Sequence, residues 1–242
     1  SVLFLGSSYS QGDLKYALTN YGASAISYWV ENGMSATTAY WNNTTKSYYM
    51  DIPSSTPGLT GGGHCVTVIG WDDTYAAANF STAPPGNGAW IVKNSWGTTW
   101  GTNGYFYLSY YDANLKRPAV FLGNSTSTFD YVYQYDPLGW VSDIGYSPSN
   151  TAHFANVFTA GSGLSASGAL KNAVAAEAVK AISFYAPAAN ASYEIRIYTG
   201  VTGDPATGTL AHGPQAGTLV APGYYTIELD SEVPLTDGAK FA

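Results

Sequence analysis

Two short apolar runs constrain this chain more than anything else in it. The first is Gly61-Gly62-Gly63-His64-Cys65-Val66-Thr67-Val68-Ile69-Gly70-Trp71, and it opens on a histidine once the glycines are passed. The second, Ala89-Trp90-Ile91-Val92-Lys93, runs directly into Asn94-Ser95-Trp96-Gly97. Both have the length and the β-branched, aromatic character of buried strands. Laid side by side and antiparallel, they bring His64 and Asn94 within contact reach.

An imidazole at such a place has a defined chemical use. A thiol attacks as its thiolate, and a neighbouring imidazole takes the proton and holds the ion pair. The ring must be oriented by a third group accepting from its other nitrogen, and an asparagine oxygen does this without adding charge. Trp96, two residues past Asn94, could roof the pair against water. Each piece alone has an ordinary explanation. A histidine at a strand start is usually a hydrogen-bonded structural residue, and Asn before Ser-Trp-Gly is usually a turn former.

Upstream, Ser10-Gln11-Gly12-Asp13 offers a helix start, with Leu14, Ala17 and Leu18 on one face and Gly22 at the stop. Ala23–Val30 reads as a strand, Thr37–Thr60 as polar surface loops with short strands, and Asp72–Gly88 as a long loop. Strand Gly104–Tyr111 follows the Gly-rich Trp96–Gly101 segment. From Phe129 onward, strand-like runs recur at Tyr131–Tyr135, His153–Thr159, Ala178–Tyr185, Tyr193–Tyr198 and Tyr224–Leu229. Turn residues separate them, the pattern of a β-sandwich. The expected organisation is a mainly β chain in two domains, residues 1–115 and 129–242, joined by a linker over 116–128. The second domain is expected to be truncated at its C-terminus, and the chain as a whole to be a processed or excerpted piece of something longer.

The 242 residues carry a net charge of −7, with only 10% charged side chains, so there is no basic footprint for nucleic acid. No apolar run approaches the roughly 18–20 residues of a membrane helix. A single cysteine excludes an internal disulfide framework. Low charge, abundant Tyr, Thr, Ser and Asn, and sequons at Asn42, Asn43, Asn79, Asn124 and Asn190 suit an extracellular or cell-surface protein. Asp72, Asp73, Asp112, Asp136 and Asp143 lack the spacing of a calcium loop. His153 and His212 lack companions for a transition metal. Neither a metal nor a cofactor is expected.

Taken jointly, His-x-Val-x-Val-Ile-Gly-Trp and the run from Ala89 to Phe106, in that order and spacing, resemble the papain-like cysteine peptidases. The resemblance is to the β-barrel half of their two-lobed fold, with its short N-terminal helix, and covers residues 1 to about 115. It implies that His64 is the general acid/base, Asn94 its orienting partner and Trp96 the shield over their hydrogen bond. Gly63 and Cys65 fall by the same resemblance beside the substrate pocket. The remainder, including Tyr133–Trp140, Phe154–Phe158 and Tyr193–Thr199, resembles the lectin-like β domain appended to some prokaryotic surface papain-like peptidases.

That family carries its nucleophile in a Cys-Gly-Ser/Ala-Cys-Trp/Tyr segment well upstream of the histidine. The 63 residues before His64 contain no cysteine. Cys65 does not substitute, because neighbouring residues of a strand point to opposite faces, and it is expected to be small, buried pocket lining. Three accounts follow. The chain is the heavy half of a cleaved enzyme, an excerpt of a longer polypeptide, or a descendant that kept the scaffold and lost the chemistry. The first two imply an endopeptidase acting by thiol acyl transfer on peptide substrates, with its cysteine on a missing lobe or light chain. The third implies a non-catalytic surface module that binds glycans or copies of itself.

Overall fold

The computed structural model describes residues 1–6, 8–31, 34, 39–123, 129–135, 151–165 and 176–242. Two compact units emerge, Val2–Leu122 and Gly123–Ala242 together with Ser1. The protein is mainly β, as expected, with one α-helix among the described residues.

The first unit contains β1 (Val2–Phe4), α1 (Gln11–Tyr21), β2 (Ser24–Glu31), β3 (Trp41–Asn42), β4 (Ser47–Tyr48), β5 (Gly61–Asp72), β6 (Ala89–Lys93), β7 (Tyr105–Ser109) and β8 (Lys116–Phe121). Its strand order is β1-β8-β2-β5-β6-β7-β4-β3, antiparallel except for β4 against β7. Helix α1 starts where the sequence says it should. The Ser10 hydroxyl accepts from the Asp13 amide at 3.1 Å, and the Asp13 carboxylate accepts from the Ser10 amide at 2.8 Å. These reciprocal bonds satisfy two amides that the first turn leaves without helical partners. Gly22, at φ 95°, ends the helix.

Strand β2 alternates buried and half-buried residues along all eight positions, and Ser24, Ile26, Tyr28 and Val30 face the core. It pairs with β5 so that Ile26 lies opposite Val66 and Tyr28 opposite His64. The core joins Ile26, Tyr28, Val30 and Val66 to Leu14 of α1, Val68, Trp90, Val92, Phe106 and Leu108. Gly61 shows why β5 opens on glycines. At φ 153° its α-carbon lies against the Val30 carbonyl and the Trp29 indole, leaving no room for a Cβ.

A buried carboxyl ties the segment after β4 to the segment after β7. Asp112 accepts from the Met50 amide at 3.0 Å and the Asn114 amide at 2.9 Å. Asn114 extends the tie by donating to the Ile52 carbonyl at 3.0 Å and accepting from the Ser54 amide at 2.7 Å. Burial raises the Asp112 pKa from 3.8 to about 7, even though the two amide bonds pull it down.

The second unit contains β9 (Tyr131–Val132), β10 (Phe158–Thr159), β11 (Leu164–Ser165), β12 (Glu177–Ala186), β13 (Ala191–Thr199), β14 (Thr209–Leu219), β15 (Gly223–Leu235) and β16 (Lys240–Phe241). β12 pairs with β15, β10-β16-β13-β14 form a four-stranded sheet, and β9 pairs with β11. Ile195 and Ile197 of β13 meet Val233, Ile227 and Leu229 of β15 and Ile182 and Phe184 of β12 in one core. Among the described residues, no helix is long and apolar enough to cross a membrane.

Three expectations are corrected. The linker read over 116–128 is a strand in its first half: β8 pairs with both β1 and β2. Pro118 hides it, since proline rarely sits inside a sheet. The strand accommodates Pro118 by an irregular register against β2 and by Arg117 at φ 53°. Strand β14 escaped notice because Thr209–Leu219 holds two glycines, a proline and little alternation. It is an edge strand whose register against β13 slips around Gly213-Pro214. Conversely, the run His153–Thr159 is extended only at its end. Residues 153–156 are exposed and pair with no strand.

Two measurements check this architecture. Ile26→Ala removes a fully buried side chain and should cost the first unit roughly 2–5 kcal/mol in denaturant unfolding. Asp112 makes stability depend on pH. Its folded pKa, about 7, lies above the ordinary 3.8, so its favourable contribution is complete below about pH 4 and is lost as pH rises towards 7. Asp112→Asn should flatten that decline while lowering stability overall, because an amide nitrogen cannot accept from a backbone N–H.

Candidate active site

His64 sits on β5 with its ring on the core face, level with Val66 and Val68 and opposite Tyr28. The Tyr28 ring lies 5.9 Å from the imidazole, centroid to centroid. Asn94 is the first residue beyond β6. The β5–β6 register pairs Thr67 with Lys93, and carried three residues further it brings Trp96 level with His64. The turn that makes this possible is held by the Asn94 amide donating to the Gly104 carbonyl at 2.9 Å. Within it, Gly101 at φ 62° lies against the Tyr105 carbonyl, where only glycine fits.

The side chains then meet. His64 Nε2 lies 2.9 Å from Asn94 Oδ1, and the same oxygen accepts from the Ser95 amide at 2.8 Å. A backbone N–H can only donate, so this second bond assigns the Asn94 oxygen, not its nitrogen, to the position facing the ring. His64 must therefore carry its proton on Nε2, and Nδ1 is left with a free lone pair. Asn94 is only 6% exposed. Its amide nitrogen is buried with no hydrogen-bond partner among the described residues, an arrangement that costs roughly 1–3 kcal/mol. The Trp96 indole stacks on the imidazole with centroids 5.0 Å apart and planes 25° from parallel.

Gly63 is exposed beside His64, and a side chain added there would meet nothing within 4 Å. Cys65 points to the other face of β5, opposite Ser27, as alternation requires. It is exposed, however, which corrects the expectation of a buried thiol. Further along the same face of β5, Thr67 is half-buried and Ile69 is 47% exposed.

Trp100 went unremarked as a site residue. It meets Trp96 edge-on at 5.0 Å and stacks on Trp41 at 5.2 Å. The signal was in the sequence, because Trp96 and Trp100 stand four apart in one glycine-rich turn.

The sequon asparagines differ in what their side chains do. Asn42 donates to the Asn79 carbonyl at 2.9 Å and accepts from the Thr44 and Thr45 amides, so its nitrogen is already engaged. The Asn43 oxygen accepts from Lys46 at 2.8 Å. Asn79 is half-buried, and Asn190 is exposed at φ 57°. Asn124, like Asp136 and Asp143, lies outside the described residues. Asp72 accepts from Thr74, Asp73 pairs with Lys15 and Tyr110, and Asp112 holds backbone amides, so these carboxylates serve separate local structures. His212 contacts Ser231 at 3.1 Å and Gln215 at 2.9 Å. No group of three His, Cys, Asp or Glu among the described residues is placed to hold a metal ion.

Comparison with known proteins follows the same division. Residues 8–118 match the family model of the papain family cysteine protease, and residues 132–242 match that of the lectin like domain. A cathepsin B-like protein of Giardia intestinalis, CP3, is 36% identical over 61 residues, covering 25% of this chain and 17% of that protein. A cathepsin L-like peptidase of Aedes aegypti is 50% identical over 38 residues, or 16% of this chain and 11% of that one.

Among solved structures, a clostridial cysteine protease, Cwp84 after propeptide cleavage, superposes with a TM-score of 0.66 at 22% identity. The match covers 99% of this chain and 53% of that one. The cysteine protease and lectin-like domains of Cwp84, a surface layer associated protein of Clostridium difficile, give 0.64 at 21% identity, covering 96% and 46%. The chain thus spans about half the length of these structures and less than a fifth of the curated relatives it matches. These structures share its fold. The chain carries a segment of the papain family cysteine protease, the part bearing His64 and Asn94, followed by a lectin-like domain.

Proposed function

We propose that this chain supplies the base side of a papain-type endopeptidase, whose nucleophilic cysteine stands on a segment upstream of it or on a companion light chain. The observation that carries this reading is the double use of Asn94 Oδ1, held by the Ser95 amide and by His64 Nε2. It leaves the Nδ1 lone pair available to a thiol. Gly63, with no side chain beside the ring, leaves a peptide room to approach.

In this scheme Nδ1 takes the thiol proton, giving a thiolate and an imidazolium whose Nε2–H remains bonded to Asn94. The sulfur attacks the scissile carbonyl carbon and its C=O π electrons move to oxygen. Collapse of that adduct breaks the C–N bond, and His64 returns its proton to the departing amine. Water, deprotonated by His64, then cleaves the thioester, releasing the acid and restoring the thiol. Asn94 orients the ring in both charge states without adding charge, and Trp96 keeps water from their hydrogen bond. The likeness in fold to a surface layer associated protease supports placing the intact protein at the cell surface.

Two measurements test this. When the chain is assembled with its nucleophile-bearing segment, His64→Ala should abolish peptide cleavage and slow alkylation of the active-site thiol by roughly 10²–10⁴-fold. Undiminished cleavage would end the catalytic reading. In the 242-residue chain alone, ¹⁵N spectra of the neutral imidazole should report the Nε2–H form of His64, and Asn94→Ala should weaken that preference.

A further inference from the structure

Trp96 stacks on the His64 ring, yet it sits in a turn and is 37% exposed. Loop position and partial exposure do not by themselves hold an indole in one orientation, so something else must wedge it. The contacts supply a continuous path. Trp96 stacks on His64 at 5.0 Å and 25°. Trp100 meets Trp96 edge-on at 5.0 Å and 86°. Trp41 stacks on Trp100 at 5.2 Å and 21°, and Phe106 closes on both, 6.2 Å from Trp41 and 5.4 Å from Trp100.

Trp41 differs from the other two tryptophans in being anchored. It is 4% exposed and lies on β3, opposite Tyr48 of β4, which in turn pairs with β7. The hairpin is pinned at one point. The Asn79 carbonyl accepts from Asn42 Nδ2 at 2.9 Å, Thr45 Oγ1 at 2.6 Å and Ser47 Oγ at 2.7 Å. Offset and edge-on aromatic contacts have preferred geometries, so a fixed ring at one end limits the tilt of the next.

We propose that Trp41 is a positioning residue for the catalytic imidazole, acting through Trp100 and Trp96 to fix the plane of His64. This deepens the function proposed above and rests on its reading of His64 as the base. Without Trp41, Trp100 loses its stacking face, Trp96 gains freedom to tilt, and the imidazole loses the indole that holds it over Asn94.

The test uses ring currents, which report the stacking directly. The chain has three histidines, so the carbon-bound ring protons of His64 are assigned by their loss in His64→Gln. Stacked on Trp96, these protons should resonate upfield of those of His153 and His212. Trp41→Leu should abolish most of that displacement, Trp41→Phe should retain it, and Trp100→Leu should reproduce the loss by breaking the same path one step nearer the site. Trp90→Leu is the control. Trp90 is 1% exposed in the same core and contacts Tyr110, so its loss should lower the unfolding temperature without moving the His64 signals.

In the assembled enzyme, Trp41→Leu should lower kcat on the order of tenfold to a hundredfold with KM little changed. Unmoved His64 signals in folded Trp41→Leu and Trp100→Leu chains would overturn the positioning role, as would an equal loss of the upfield displacement in Trp90→Leu. Such a result leaves the base assignment standing if His64→Ala still abolishes cleavage. Cleavage that survives His64→Ala would overturn both.

Discussion

The period-two alternation of β5 is the constraint on which the rest of the site depends. Because that strand is paired on both sides, by β2 and by β6, its residues have no freedom to choose a face. Val66 and Val68 must go to the core, and His64 therefore lies on that side, against Tyr28. Cys65 must go to the other. A slip of one residue in either register would exchange the histidine and the cysteine and expose two valines. The hydrophobic driving force for the core thus also decides which of two adjacent reactive side chains meets Asn94.

Beyond the sheet, the site is built by a turn. Asn94, Trp96 and Trp100 all lie between β6 and β7, where ladder hydrogen bonds no longer position them. The Asn94–Gly104 backbone bond closes the turn, Gly101 permits its tight path beside Tyr105, and the tryptophans wedge against Trp41 and Phe106. The Asn94 side chain is held by a backbone amide, which cannot change its donor character, so its orientation does not depend on the histidine it serves. Under the function proposed above, a neutral orienting group suits a ring that would alternate between imidazole and imidazolium.

Legibility in the sequence followed how much each residue's role depended on local pattern. Helix α1 was readable because its capping box and its terminal glycine act within a few residues. β2, β5, β6 and β12 were readable because their apolar residues recur at strand spacing and no proline interrupts them. β8 and β14 were not, since Pro118 and Gly213-Pro214 are tolerated only through register slips supplied by neighbouring strands. The exposure of Cys65 could not be read from alternation. Alternation tells which face a residue takes, not whether anything in the unit covers that face. Trp41 was equally hidden, being 59 positions before Trp100 and stacked on it only after β3 and β4 fold back beside β7.

Sequence by itself determined the mainly β architecture, the strand that carries His64 and the strand that leads into Asn94, and the opposite directions of His64 and Cys65. These follow from apolar periodicity and strand geometry, which act over a few residues and survive any reasonable packing. Tertiary structure alone decided the tautomer of His64, the exposure of Cys65, the elevated pKa of Asp112 and the stack running from Trp41 to the imidazole. Each of these depends on which distant groups arrive at a given point and how much water they exclude. That information lies in the pairing of strands far apart in the chain, and no local pattern encodes it.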